Sequence, residues 1–522
     1  MDLAALFRRH ADLEPEEAET LGVPDRDEHR RDMSEEGEAA RRAFWDEALA
    51  GTDGGDEHDL DLRALRRHAR LERHLDRGGW ARANPQWALY PYAMLRYRLA
   101  RRGGDPSEGP DAATRARAAG VPRFLDEHRR ALRAEAERGR VAHRSFLESL
   151  VAHELPAARD FLAALDPGAG SAVDRHLVFL RDELRPLAPE HAILGAEEYA
   201  ERLRLTHGLT DSLEALVAEA REALATTREA MLEVARTLPG GASIRDFGSL
   251  RTHMVELQRE TLPASPGPEA WYRATMGRVM EGLVARGEFA PFDLDRLGMD
   301  VYPEGMRDQG AGTNWPAPLL DPRGRGQFVI HPDPGAHPRA WASVLAVHEG
   351  VPGHTLQSAG FQRRFAGAAA PFRFLAVADD VAIPRLNFSA MLSIEGWAVY
   401  AESLVREAGL HSGVDLLFAH AADALRAVRV IAEIDLHRGA LAPAEVEPFV
   451  CENAGLASAR WELERYQRGP LQAVAYFFGA RRIRALRERT EAVEGAGFSA
   501  ARFHEALLAA GPVRPDDLTV VG

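Results

Sequence analysis

The chain has 522 residues, 45% of them hydrophobic and 28% charged, a composition that excludes wholesale disorder and leaves material for a large core. Its 65 basic and 80 acidic side chains give a formal charge of -15, which argues against a nucleic-acid coat or an anionic membrane surface, since both require a positive field. The single cysteine, Cys451, excludes an intrachain disulfide and any multi-thiolate metal site, so a metal here must use nitrogen and oxygen.

The first residues, Met1 to His10, have no apolar stretch behind a basic start, and no later run is long and apolar enough for a membrane span. These features predict a cytoplasmic protein with no membrane and no nucleic-acid partner. Residues 1–60 are acidic and read as mobile periphery, with a short helix, a helix over Ala39 to Ala50, and a break at Gly54-Gly55 before a charged helix from Leu60 to Leu75. Residues 61–290 form a helical region: apolar residues recur at spacings of three and four within Val121 to Leu150, Ser171 to Arg185 and Ser212 to Thr237. After the proline-rich stretch Pro263 to Pro268 a further helix is expected from Ala270 to Ala285.

Between Pro303 and Pro338 the chain carries six glycines and seven prolines, which predicts a loop-rich rim with two or three short strands, one at Gln327 to His331, beside a functional cleft. Helices then dominate to Leu508, so residues 291–522 read as a helical region packed with the preceding one as a single, mainly α body. The basic run Arg481-Arg482-Ile483-Arg484 fits a helix surface better than a nucleic-acid site. No internal repeat is evident.

The chemistry-bearing segment is Val347-His348-Glu349-Gly350-Val351-Pro352-Gly353-His354-Thr355-Leu356-Gln357. Two imidazoles and a carboxylate suit zinc and the activation of its water. The spacing is unusual, because histidines four apart share a helix face whereas six apart on an ideal helix point about 120° away from each other. Pro352 and Gly353 supply a local irregularity that swings His354 back toward His348. Some forty residues on, Ser393-Ile394-Glu395-Gly396-Trp397-Ala398-Val399-Tyr400-Ala401-Glu402 offers Glu395 as a third ligand. Glu402, seven residues later on the same helix face, is placed to orient an imidazole. Gln357 braces the local structure, and Trp341 and Trp397 read as core aromatics.

These two segments, with Arg429 to His437, Arg465-Tyr466 and Pro470-Leu471-Gln472-Ala473 through Tyr476 to Gly479, resemble the large, mostly bacterial DUF885 family of predicted zinc metallopeptidases within the wider gluzincin-like superfamily. The resemblance covers most of the chain, with its specific motifs in the last 180 or so residues. It implies a multi-helix metallopeptidase-like fold around a deep cleft, zinc on His348, His354 and Glu395, and Glu349 as general base. His437 and Tyr476 are then the candidate donors to a developing oxyanion. Arg429 and Arg465 are candidate binders of a substrate carboxylate, against the plainer alternative of pairing with local acids. The chain departs from the family pattern in placing Glu433 and Asp435 before His437, carboxylates that either raise the pKa of that imidazole or alter the choice of substrate. It also has Asn314-Trp315-Pro316 and Gln327-Phe328-Val329 where a tyrosine-rich rim is usual.

The expected activity is therefore zinc-dependent hydrolysis of peptide or peptide-like amides in small substrates. Two alternatives stand beside it: a repurposed metalloenzyme acting on a non-peptidic small molecule by amide hydrolysis or elimination, and a non-catalytic helical binding or scaffold protein. A homodimer is the base-rate expectation for assembly.

Overall fold

Serine, aspartate and proline at helix starts and glycine at helix ends punctuate this chain, and the computed structural model follows that punctuation closely. It describes residues 2–26, 28–52, 59–102, 109–294, 297–302, 310–374 and 390–518, and these are overwhelmingly helical. The break expected at Gly54-Gly55 lies outside the described residues. The segment expected to run from Val121 to Leu150 divides into Val121–Glu137 and a second helix from Arg144, with Gly139 at φ 75° in the turn between them. The acidic N-terminal region, read from sequence as mobile periphery, contains helices Leu3–Leu13 and Glu35–Thr52, which bury Leu6, Phe7, Phe44 and Trp45 against Leu65, Ala69 and Phe372. Its high charge hides a small apolar stripe, and that stripe ties it to the rest of the chain.

Two long helices form the largest core. Helix α1 (Leu213–Arg236) begins where the Ser212 side chain accepts the Ala215 N–H, an N-cap that satisfies one of the free amides of the first turn. Its stripe Leu213, Leu216, Val217, Ala220 and Leu224 is buried with Leu417, Ala421, Ala424, Val428 and Ile431, which belong to the long helix over Gly413–His437. Helix α2 (Pro268–Ala285) starts with proline at its first position, where the missing N–H costs nothing, and buries Tyr272, Met276 and Leu283.

Three short strands follow: β1 (Gly298–Val301), β2 (Gly312–Trp315) and β3 (Gln327–Ile330). The order is β1-β3-β2, with β1 parallel and β2 antiparallel to the central β3, in register Gly298 with Gln327 and Gly312 with Ile330. The third strand coincides with the extended segment expected from sequence. β3 buries Phe328 and Ile330 in the core and Val329 beside Trp315, and β2 forms an edge whose free side runs toward the segment holding Glu349.

Helices α3 (Arg339–Leu345), α4 (His354–Phe365), α5 (Met391–Glu407), α6 (Gly413–His437) and α7 (Gln472–Glu494) build the remainder of the site. The closest packing in this group joins α5 to α7 at two glycines. A Cβ on Gly396 would lie 2.4 Å from the Gly479 carbonyl carbon, and a Cβ on Gly479 would lie 2.0 Å from the Leu392 oxygen. A glycine inside a helix costs about 1 kcal/mol relative to alanine, and here it lets backbone meet backbone one residue from Glu395. Gly479→Ala is expected to lower stability by about 3 kcal/mol, the upper end for an overpacked core, because no flexible side chain can give way. Gly497→Ala, with open space around the new methyl, serves as control and should change stability by less than about 0.5 kcal/mol. Equal urea midpoints for both variants would mean that α5 and α7 separate freely.

Candidate metal centre

The irregularity that the sequence requires between the two histidines is built from a broken helix. The chain leaves α3 through a π-turn at Ala346–Gly350, extends at Val351, whose φ and ψ are -120° and 138°, and re-enters helix at His354. The Val351–Pro352 peptide is cis. The Gly353 N–H donates to the Val347 carbonyl at 3.0 Å, which leaves no room for a side chain: a Cβ on Gly353 would sit 2.0 Å from the His348 oxygen. The Trp397 indole N–H on α5 closes the break by donating to the carbonyls of Pro352 and Gly353 at 3.0 and 3.2 Å. Trp397, read as a core aromatic, thus also latches the break in place.

With the helix broken, His348 and His354 face each other, their rings perpendicular and 4.9 Å apart. Both Nε2 atoms converge on one carboxylate oxygen, Glu395 Oε2, at 3.2 Å from His348 and 3.4 Å from His354. One ligand atom from each of the three residues lies within 4.8 Å of the others. All three side chains are nearly buried, and among the described residues Glu395 Oε2 accepts no hydrogen bond. Two nitrogen donors and an unsatisfied buried carboxylate oxygen aimed at one point fit a divalent cation with an open position, and the fit rests on the donor set itself.

Electrostatics agree. Burial alone would depress the His348 imidazole, but the adjoining Glu395 and Glu402 carboxylates outweigh that and hold it up to about 10. Burial likewise opposes the charge on His354, and Glu395 again wins, raising it. Glu395 is held well below the usual carboxylate range by the two histidines, against its own desolvation. The cluster therefore favours a positive charge at its centre, which ring protons or a bound cation can supply.

Outside the triad, each of the two histidines is oriented by a partner. The His348 Nδ1–H donates to Glu402 Oε1 at 2.7 Å, and Arg426 on α6 donates to the same oxygen at 2.6 Å. His354 Nδ1 lies 3.2 Å from Gln357 Oε1, whose amide nitrogen donates to the Ser393 carbonyl at 3.3 Å. Both partners fix the tautomer that leaves Nε2 free for a ligand bond. Glu349 is held from the other side: its Oε2 accepts the Asn314 backbone N–H at 2.9 Å, and the Asn314 side chain donates to the Glu349 carbonyl at 3.2 Å and to Thr355 Oγ1 at 2.9 Å. Asn314 lies on the edge strand β2, and its main role uses a backbone amide, so its side-chain type gave no warning of it.

The other expected site residues divide. The Tyr476 ring stacks on His348 at 6.1 Å and 22°, placing it at the centre, with the Arg465 guanidinium 6.0 Å from its own ring. Arg465 also donates to Gln472 Oε1 at 3.3 Å. Arg429 forms a two-point ion pair with Glu462, at 3.0 and 2.6 Å, the acid-pairing alternative. His437 is not brought to the triad: it lies eleven residues beyond Arg426 on α6, about 16 Å along the axis. Its Nε2–H donates to the Tyr466 carbonyl at 3.0 Å and its Nδ1 accepts the Leu194 N–H, so the ring is neutral, and it stacks on Tyr199.

The raised pKa expected for His437 is corrected by the same contacts. Glu433 turns to the Tyr199 hydroxyl at 2.7 Å and to the Leu471 N–H, while Asp435 pairs with Arg221 and Arg438. Neither carboxylate reaches the imidazole, and burial lowers it to about 4.

A family model described as "Bacterial protein of unknown function (DUF885)" matches residues 15–520. The chain belongs to the DUF885 family. No curated protein matches it. Its fold is shared with two solved structures at 16% identity. One is described as "the putative lipoprotein from Colwellia psychrerythraea", with a TM-score of 0.70 over 99% of this chain and 97% of that one. The other is "a putative lipoprotein of unknown function from Shewanella oneidensis", with a TM-score of 0.69 over 99% and 98%. The cytoplasmic expectation is corrected by these likenesses, since two chains of the same fold and extent are described as putative lipoproteins. Among the described residues no helix is long and apolar enough to cross a membrane.

Proposed function

We propose that this DUF885 protein is a zinc-dependent hydrolase of peptide or peptide-like amide bonds in small substrates. The reading is carried by the convergence of His348, His354 and Glu395 on one point with Glu349 beside it. His348, His354 and Glu395 would hold the zinc ion, which would supply Lewis-acid activation of water and of the amide carbonyl. The protein supplies the rest. Glu349, anchored through Oε2 by Asn314, takes the proton of the attacking water at Oε1 and passes it to the departing amine nitrogen as the C–N bond breaks. Glu402 and Gln357 hold the two imidazoles in the required tautomers. Tyr476, stacked over His348, donates its hydroxyl hydrogen bond to the carbonyl oxygen as negative charge gathers there. His437 takes no part, being neutral and bonded to backbone on both nitrogens.

The test is elemental analysis of the purified chain beside a His348→Ala, His354→Ala double variant. About one zinc per chain in the parent and almost none in the variant is the expected result. A parent that stays metal-free after incubation with zinc would leave a helical binding protein as the better reading.

A further inference from the structure

Four charged side chains behind His348 link α5 to α6. Glu402 and Arg406 stand four residues apart on α5, and Asp423 and Arg426 three apart on α6, so each pair shares one helix face. Arg426 Nη2 donates to Glu402 Oε1 at 2.6 Å, and Arg406 Nη1 lies 2.6 Å from Asp423 Oδ2. The charges alternate around this square and sum to zero. Glu402 and Arg426 form its buried side, with side chains 2% and 9% exposed, against 19% and 24% for Arg406 and Asp423. Stability does not account for the buried pair, since taking two charges out of water is costly and apolar residues of similar volume often join helices as well.

The second bond of that carboxylate does account for it. Glu402 Oε1 also accepts the His348 Nδ1–H at 2.7 Å, whereas Glu402 Oε2 has no hydrogen-bond partner among the described residues. Both donors meet on one oxygen, so the place of Arg426 fixes Oε1, and Oε1 fixes the plane and tautomer of the ring whose Nε2 faces Glu395. Without Arg426 either carboxylate oxygen could take the Nδ1–H, and the ring would lose its set plane. We propose that Arg426 is a positioning residue of the metal centre: acting through Glu402 Oε1 alone, it holds His348 in line and so sets the affinity of the site for a divalent cation. The Arg406–Asp423 pair joins the same helices without touching a partner of the triad. The inference rests on the metal-binding part of the reading above and on no assumption about the reaction.

The test is titration of the full chain with zinc against a chromophoric chelator, beside the visible absorption of the cobalt-loaded protein. Arg426→Gln is expected to weaken zinc binding about tenfold, the lower end for losing an outer partner of a metal ligand, and to alter the cobalt band as the His348 ring turns. Glu402→Gln is expected to weaken it by about 10- to 100-fold. Because Arg426 acts through Glu402, the double variant should bind zinc no more weakly than Glu402→Gln alone. That double variant leaves no buried charge unmatched, and should Arg426→Gln fail to fold, Arg426→Lys, which keeps the cation but not the planar fork, completes the same cycle with a smaller loss. Arg406→Gln combined with Asp423→Asn, which cuts the other link between the two helices, should leave zinc affinity within about twofold whatever it does to the urea midpoint. Unchanged zinc affinity on loss of Arg426, additive losses in the double variant, or an equal loss from the Arg406 and Asp423 variant overturns the inference and leaves the metal centre standing. A parent chain that takes up no zinc removes the metal centre, and the inference with it.

Discussion

Glu349→Gln is expected to reduce turnover of a short peptide by about 10³-fold while leaving zinc in place. Glutamine is the informative replacement because of what holds Glu349. Its Oε2 accepts the Asn314 N–H at 2.9 Å, and an amide oxygen accepts that bond equally well. Alanine would strand a partly buried backbone donor at a cost of about 1–3 kcal/mol and mix a folding defect into the kinetics. The side chain is not among the three converging ligands, so metal content should stay near that of the parent. What the amide cannot do is receive a proton, so the loss should appear in kcat, with little change in KM. The measurement is zinc per chain beside steady-state kinetics. Undiminished turnover would remove Glu349 as the base, and loss of zinc would show that it serves the metal instead.

How far the sequence reveals this site depends on whether a residue acts through its side-chain type. The clustering of His348, His354 and Glu395 with Glu402 and Gln357 is legible because groups able to hold a metal, and the partners that orient them, come from few residue types at interpretable spacings, and Pro352-Gly353 announces the broken helix that the six-residue spacing needs. Asn314 is not, since it positions Glu349 through a backbone amide that any residue carries. Arg426 is hidden among many arginines, and only the fold shows that it bonds to the same Glu402 oxygen as His348. His437 misleads in the opposite direction: a histidine flanked by carboxylates in sequence looks activated, but on a helix Glu433, four residues back, reaches across to Tyr199. Gly396 and Gly479 are a missed signal, because glycines well inside helices mark places where backbones touch. The N-terminal helices were obscured by charge, with four large apolar residues sufficient to dock an otherwise acidic segment.

Those misleading histidines give the second large effect. The metal-free protein is expected to unfold in acid, with stability falling steeply between about pH 6.5 and 4. Four fully buried imidazoles drive it. Burial lowers His128, His207 and His437 to about 4 and His504 to about 3, below the roughly 6.5 of an unfolded chain. Each donates one ring N–H to a backbone carbonyl, those of Asn84, Leu471, Tyr466 and Glu288. On His128 and His207 the other nitrogen, Nδ1, has no partner among the described residues, so a second proton there would meet no acceptor among them.

Because the folded pKa is depressed, the unfolded chain takes up protons first. The stability from these groups is complete above about pH 6.5 and is lost as pH falls toward 4. Each contributes up to about 3 kcal/mol, and four together match the roughly 5–15 kcal/mol that holds a typical domain. Glu433 works against them. Burial raises it to about 7, so its contribution is present below the unfolded value and lost as pH rises toward 7. One such group offsets only one histidine, and the acid loss should win. Urea midpoints of the chelator-treated protein at pH 7.5, 6, 5 and 4.5 give the answer. Chelation removes the separate effect of metal loss. A midpoint that holds steady from pH 7.5 to 4.5 would mean that the four histidines reach water in the folded state.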